Sequence, residues 1–463
     1  MALIKSISGI RGTIGGSTGE NLTPIDIVEC AAAFGAWIKG NRANTKIVIG
    51  RDGRISGPLV NQLVIQTLLG LGIDVVDLGL STTPTVEMAV PKEGAQAGII
   101  ITASHNPKQW NALKFLNDKG EFISKADGEA LLAKIEDGSI EFAEVQHLGT
   151  YREDHSYLAY HIEQILALPY VHADQVQEKK YKVVVDAVNS TGALALPPLL
   201  EAFGCEVVVI NGEVTGHFAH NPEPLPENLT ELCQAVNFHR ANLGIAVDPD
   251  VDRLAFVSED GEVFGEEYTL VAVADYILQH KKGNTVSNLS STRALREVTE
   301  KHGGQYNASA VGEVNVVTLM KETQAVIGGE GNGGVILPDL HYGRDALVGV
   351  ALFLSYMAQS GKTASAIRRS YPAYTISKNK MALSPDIDLD YLFAALKDHY
   401  RNEELNTVDG LKIDLESGWI HLRKSNTEPI VRIYTESSSE VIAENLANKI
   451  KADINEFLKN KPA

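Results

Sequence analysis

Cysteine is scarce in this chain of 463 residues. Cys30, Cys205 and Cys233 are odd in number and lack metal-ligand spacing, which excludes a disulfide framework and a cysteine-held zinc module and fits a reduced intracellular setting. Each reads as plain core packing. Positive charge is also short: 41 Lys and Arg stand against 59 Asp and Glu, for a net charge of -18. Such a balance disfavours nucleic-acid backbones and anionic membrane surfaces, so neither is expected as a partner. An anionic small substrate would need a local basic pocket. No apolar run reaches the roughly 18 residues of a membrane span. The opening residues hold no signal-peptide stretch, so the cytoplasm is the expected compartment. Low-complexity segments are absent as well.

What is present is globular, with 44% hydrophobic residues, 22% charged residues and 40 glycines. Length alone suggests roughly three domains. Periodicity predicts strands over 46–49, 75–78 and 97–101, with helices over 58–71 and 85–90 between them. The plan recurs: strands over 182–188, 206–210 and 243–247 alternate with helices over 193–203 and 227–240. A third pass runs from a helix over 268–279 through strands near Val286 and Tyr306 to one over 325–327. Alternation of this kind implies mostly parallel sheets with helices on their faces, an α/β class. Past a helix around 345–357 the pattern changes. A helix over 391–400, strands over 411–415, 419–422 and 430–435, and a closing helix over 441–458 suggest a smaller C-terminal α+β domain. With linkers expected at 147–156 and 370–377, the domains divide at 1–153, 154–256, 257–370 and 371–463.

Each of the three passes carries its unusual residues at the carboxyl end of an apolar strand, where open α/β sheets place ligands. The first ends in TASHNP, Thr102 to Pro107, by itself no more than a turn with an incidental serine. The second ends in DPDVDR, where Asp248, Asp250 and Asp252 alternate. Alternate residues of an extended backbone share a face, so three carboxylates can converge on one hard cation, or simply form a solvated acidic turn. An EF-hand is excluded, because Arg253 occupies its glycine position and the flanks read as strands. The third ends in GGEGNGG. It contains G-x-G-x-x-G, but a short apolar run rather than a helix follows, so the dinucleotide fingerprint is rejected. Glu330 and Asn332 remain, a carboxylate and an amide suited to sugar hydroxyls. In the last domain RKSNTEPIVR offers Arg423 and Arg432 with Ser425, Asn426 and Thr427, a fork-and-hydroxyl set for phosphate or an exposed polar hairpin. Arg11 in SGIRG and the arginines of GRDGR, taken singly, are glycine-flanked turns. No Ser-His-Asp triad is readable; a serine without an evident base can still serve if it carries a phosphate bridged by a metal.

Ser104 in TASHNP, then DPDVDR, GEGNGG and RKSNTEP, in this order and roughly a hundred residues apart, resemble the α-D-phosphohexomutase superfamily over essentially the whole chain. The resemblance implies three similar mixed α/β domains and a smaller fourth around a central cleft. It also implies reversible phosphoryl transfer between the 6- and 1-positions of a hexose phosphate, through phosphoserine and a hexose 1,6-bisphosphate that also serves as activator. Carried over, Ser104 is the phosphoserine and contributes to an Mg2+ site with Asp248, Asp250 and Asp252. Arg11 and Arg253 neutralise the phosphoryl group, Lys114 is a general acid or base, and His105 is a second proton-transfer candidate. Lys114 would need its pKa lowered to accept a proton. Glu330 and Asn332 read the sugar; Arg423, Ser425, Asn426, Thr427 and Arg432 hold the idle phosphate. Glu313 in AVGEVNV points to an amino sugar, hence to glucosamine 6-phosphate ahead of mannose or glucose phosphates, since a carboxylate can pair with an ammonium group. The endings of GEGNGG and RKSNTEP argue the other way. A metal-dependent phosphatase and a catalytically silent sugar-phosphate sensor are the rival classes. The sequence leaves the oligomeric state open.

Overall fold

Three of the four sheets repeat one topology. This computed structural model describes residues 3–6, 9–40, 42, 44–382, 389–424 and 430–459. In the first sheet Lys46–Arg51 runs parallel between Asp74–Leu80 and Ala97–Ile101, and Trp110–Leu116 returns antiparallel beside Ala97–Ile101. The second sheet places Lys182–Asp186 between Glu206–Ile210 and Leu243–Val247, with Leu254–Ser258 returning. The third places Thr285–Asn288 between Tyr306–Ser309 and Ile327–Glu330, with Gly334–Ile336 returning. The three predicted passes are therefore real repeats. Each sheet is mixed, because its functional loop is the turn into an antiparallel partner.

Burial explains why the parallel strands were readable and the returning ones were not. Ala97–Ile101 and Leu243–Val247 are buried at every residue, the continuous apolar signature of a strand covered on both faces. Trp110–Leu116, by contrast, carries Asn111 and Lys114 among its apolar residues because it lines the site. The expected strand over 325–327 is Ile327–Glu330, which brings Glu330 into the strand end. The expected helix over 227–240 starts only at Thr230, after a tight turn at Pro226–Asn228. The stretch 147–156, read as a linker, contains the edge strand Tyr151–Glu153 of the first sheet. Its three residues are all exposed, too short and polar for a periodic signal. On the opposite side the sheet is extended by the hairpin Leu3–Ser6 and Gly9–Thr13.

One helix ties the middle of the molecule together. Ala346–Ser360 is buried along almost its whole length, as expected for a helix apolar on all sides. It packs with Glu266–His280 in a single core that also takes in strands of the second and third sheets; Phe353 stacks on Phe256 with ring centroids 4.2 Å apart. The fourth sheet is antiparallel and five-stranded, with Leu389–His399 and Glu440–Lys459 closing its core. Cys30 lies in the first core, Cys205 and Cys233 are half-buried, and all three are free thiols. Among the described residues no helix is long and apolar enough to cross a membrane.

The strand that delivers Ser104 has no spare volume. A Cβ on Gly98 would lie 2.7 Å from Val90 and 3.0 Å from Leu116. Gly98→Val is expected to lower stability by about 1–3 kcal/mol through overpacking, read by urea unfolding; unchanged stability would contradict this account of the strand.

Candidate active site

Ser104 leaves its strand in a left-handed backbone conformation, φ 48°, uncommon for a residue with a Cβ. Several bonds hold it there. Its N–H donates to Thr102 Oγ1 at 2.9 Å, and the Thr102 hydroxyl donates to Asp52 at 2.7 Å. Asp52 in turn takes Arg54 Nε at 3.0 Å. The Arg54 guanidinium, fully buried, donates to the carbonyls of Ser104, Asn106, Pro107 and Trp110. One cation thus gathers the carbonyls of the turn, and the Ser104 side chain is left to point elsewhere. Arg54 belongs to GRDGR, which the sequence presents only as a glycine-flanked turn.

The acidic loop meets the serine. Ser104 Oγ donates to Asp248 Oδ2 at 2.7 Å, across 144 residues of chain. Val251 has φ 62°, a genuine outlier for a β-branched residue, and its N–H closes a turn on the Asp248 carbonyl. The turn brings Asp248, Asp250 and Asp252 together, with one ligand oxygen from each within 4.8 Å of the others. All three residues are fully buried. Thr83 Oγ1 donates to Asp250 at 2.7 Å, Lys114 Nζ reaches Asp250 at 3.1 Å and Arg344 Nη2 reaches Asp252 at 2.6 Å. Even so, Asp250 Oδ1 and Asp252 Oδ1 are buried without a hydrogen-bond partner. Burial, then Asp252 and Asp250, push the Asp248 carboxyl well above the usual carboxylate range. Three oxygen donors on one crowded turn, two of them holding unpaired buried atoms, fit a hard divalent cation.

Lys114 stands on the returning strand. Burial pulls its pKa down, but Asp250 and Asp252 outweigh this and hold it above the ordinary lysine value. The lowering expected from the sequence is not what these neighbours produce, and Lys114 enters as an ammonium. His105 Nδ1 lies 3.3 Å from Ser104 Oγ. Burial, then Arg253 nearby, hold its pKa far below the usual histidine range, so the imidazole is neutral. Arg253 pairs with Glu223 at 2.7 Å.

The GEGNGG segment forms the turn between Ile327–Glu330 and Gly334–Ile336, a hairpin rather than the strand-to-helix bend a dinucleotide motif requires. Glu330 Oε1 accepts from Asn288 and from the Gly312 N–H, and Glu330 Oε2 from Arg344 at 3.1 Å. Burial opposes ionisation, but Arg344 and the hydrogen bonds outweigh it and hold Glu330 below its ordinary value. Asn332 Oδ1 accepts from the Gly334 N–H, which fixes the amide at the turn. Glu313 faces away from the expected role. Its two oxygens take the N–H and Nε of Arg344 at 3.1 and 2.9 Å, so its charge is already matched by a guanidinium instead of standing free for a sugar ammonium. Glu259, twelfth in a count from Asp248, accepts from the N–H and hydroxyl of Ser365.

Arg344 was not foreseen. Its guanidinium touches Asp252, Glu313 and Glu330, joining the acidic loop of the second sheet to the GEGNGG turn of the third. These partners lie 92, 31 and 14 residues away, so no local pattern betrays them.

His105, Arg253, Glu330 and Asn332 line a cleft of about 1100 Å³ together with Arg11, Lys378, Arg423 and Arg432. Arg11 has its pKa lowered by burial and then by Arg432, which places the two guanidinium groups within mutual repulsion. Arg423 is held by Asp409 at 2.7 Å. Ser425, Asn426 and Thr427 lie outside the described residues. A strongly acidic chain thus concentrates cations in one concavity, with the sources of those cations in the first, second and fourth sheets or their loops.

Comparison with known proteins agrees with this arrangement. Family models for phosphoglucomutase/phosphomannomutase match the chain for alpha/beta/alpha domain I over residues 3–141, domain II over 159–261, domain III over 265–374 and the C-terminal domain over 385–452. The chain belongs to the phosphoglucomutase/phosphomannomutase family. A probable phosphoglucosamine mutase of Methanopyrus kandleri is 34% identical, over 96% of this chain and 95% of that one. A phosphoglucomutase/phosphomannomutase of Thermococcus kodakarensis is 35% identical, over 93% and 94%. Among solved structures, a phosphoglucomutase/phosphomannomutase family protein of Burkholderia thailandensis superposes with a TM-score of 0.84 at 26% identity, covering 98% of each chain.

Arg54 makes the Ser104 turn depend on one side chain. Arg54→Ala leaves Asp52 as an unpaired buried charge, and a loss of about 3–5 kcal/mol is expected. Equilibrium urea unfolding measures it; a loss under about 1 kcal/mol would mean that the turn holds itself.

Proposed function

We propose that this family member is a phosphoglucosamine mutase that works through phospho-Ser104. One observation carries the reading: the Ser104 hydroxyl lies 2.7 Å from Asp248, within a buried carboxylate cluster that opens beside a cationic cleft. A hydroxyl in that position has an acceptor for its proton in Asp248, so it can take up a phosphate as well as give one away. It is well placed to carry a phosphate as donor. Mg2+ held by Asp248, Asp250 and Asp252 would supply neutralisation of the phosphate oxygens.

In the forward direction the bond between phosphorus and Ser104 Oγ breaks as phosphorus bonds O1 of glucosamine 6-phosphate. The sugar hydroxyl gives up its proton to a base, for which neutral His105 is suited, and Lys114 as an ammonium supports the departing serine oxygen. The 1,6-bisphosphate then turns end for end: Ser104 Oγ bonds the 6-phosphorus as the bond from phosphorus to O6 breaks, the serine proton passes to a base, and O6 takes up a proton to become the sugar hydroxyl. Arg11, Arg423 and Arg432 hold whichever phosphate is idle, with Ser425, Asn426 and Thr427 assigned to the same pocket. Glu330, ionised beside the cleft, and Asn332 grip the sugar in both orientations. With Glu313 and Glu330 both paired to Arg344, the amino-sugar reading rests on the name borne by the Methanopyrus relative. The name borne by the Thermococcus relative supports the second reading, a phosphoglucomutase/phosphomannomutase with the same chemistry. A hexose 1,6-bisphosphate would prime Ser104 in either case.

Ser104→Ala is expected to abolish turnover while leaving the unfolding curve unchanged, since a loop hydroxyl contributes little packing; substantial residual mutase activity would sink the phosphoserine route. Phosphorus NMR with Mg2+, a trace of the matching hexose 1,6-bisphosphate, and glucosamine, mannose or glucose 6-phosphate in separate tubes decides the substrate. Fastest conversion of the glucosamine compound is expected. Faster mannose or glucose conversion would keep the mechanism and replace the sugar, and release of inorganic phosphate alone would make the protein a phosphatase.

A further inference from the structure

Behind the acidic loop, on the far side of Arg344, lies a second cluster that the phosphoryl chemistry does not use. Asp345 Oδ2 is 2.9 Å from His161 Nε2 and 3.2 Å from His341 Nε2. One potential ligand atom from each of these residues lies within 4.8 Å of the others. His161 and Asp345 are completely buried, and the His341 side chain retains only 12% of its surface. The rear nitrogen of each ring also lies near a polar atom. His161 Nδ1 is 3.0 Å from Thr85 Oγ1, and His341 Nδ1 is 3.3 Å from Glu87 Oε2. The second oxygen of Asp345 caps the helix Ala346–Ser360 by accepting from Leu347 and Val348, which turns Oδ2 toward the rings.

We infer that His161 Nε2, His341 Nε2 and Asp345 Oδ2 form a second metal site, selective for Zn2+ and distinct from the three-aspartate cluster. Two imidazoles and one carboxylate are a borderline-soft donor set that suits Zn2+ far better than Mg2+. Thr85 and Glu87 then occupy the places of the outer partners that orient metal-bound histidines through the opposite nitrogen. Three protein ligands leave a fourth tetrahedral position, reached from the slightly exposed edge of His341.

An independent observation comes from Glu87. The residue is 1% exposed, and neither of its carboxylate oxygens makes a well-formed hydrogen bond; His341 Nδ1 is close but misaligned. The loop is nevertheless pressed onto it, since a Cβ on Gly343 would stand 1.8 Å from Glu87 Oε2. Two buried carboxylates facing two imidazoles leave the cluster short of positive charge. A dication removes that shortage. Because His161 lies on Tyr157–Leu166, Thr85 and Glu87 on Thr83–Glu93, and Asp345 at the head of Ala346–Ser360, the ion would staple the first and third sheets' helices beside Arg344.

The full-length protein, loaded with Zn2+ alone and then washed with excess Mg2+, tests this by metal analysis and zinc X-ray absorption. One retained Zn2+ per chain with two imidazole neighbours is expected. His161→Gln should lose that ion, whereas Asp250→Asn should keep it. Glu87→Gln, which leaves the ligands in place, should weaken zinc binding 10–100-fold. No retained zinc, a shell of oxygen alone, or sulfur neighbours from the free cysteines would each overturn the site. The spectrum of the unmodified protein decides by itself if His161→Gln does not fold.

Discussion

The structure depends on matching the negative charge buried where the first three sheets meet. Asp248, Asp250, Asp252, Glu313 and Glu330 all lose water at one place, and the cations that reach them are Lys114 and Arg344. Buried ion pairs add little net stability, because desolvation consumes much of the Coulomb gain. Breaking one is costly, so the network selects a single arrangement of the loops. Arg344 is the residue on which that selection turns: a planar fork reaches three carboxylates at once, which a lysine ammonium does not reproduce. The two aspartate oxygens still without partners mark where the remaining positive charge belongs.

A repeated topology explains how loops far apart in sequence meet. In each of three sheets a buried parallel strand ends in a turn that reverses into an antiparallel neighbour. The turn is anchored at both ends by ladder hydrogen bonds, so its side chains are presented from a fixed base. The first turn supplies a serine, the second carboxylates, the third a carboxylate and an amide. Specialisation lies in the turn residues, since the strands that carry them are nearly interchangeable apolar runs. Strain is spent at the same places: Ser104 and Val251 both hold positive φ, and such conformations persist only where surrounding bonds overdetermine them.

Legibility in the sequence followed the range of the interactions. Ser104 and the three aspartates were readable because the signal is local: reactive residues clustered at the end of an apolar strand. The repeats were readable because fully buried parallel strands leave continuous apolar runs. Arg344 and Arg54 were not. Arg54 does its work on carbonyls up to 56 residues ahead, and its only local mark is Asp52 two positions before it. Glu313 was noticed for its charge, but its partner Arg344, 31 residues away, left no local mark. Lys114 lies 3.1 Å from Asp250, while the direction of its pKa depended on two aspartates from another sheet.

The contrast between a net charge of -18 and the cationic cleft is also a consequence of these pairings. Most arginines of the site are tied to a carboxylate: Arg253 to Glu223, Arg423 to Asp409, Arg344 to its three partners. Arg11 and Arg432 instead line the cleft together, and burial, then Arg432, hold the pKa of Arg11 down. A pair of guanidinium groups held in mutual repulsion gains most from a ligand carrying two negative charges, which relieves both at once. The acid partners keep the remaining arginines oriented without exhausting their donors. On the proposed function, the cleft can therefore release one phosphate and accept the other without collapsing, as a turning bisphosphate would require.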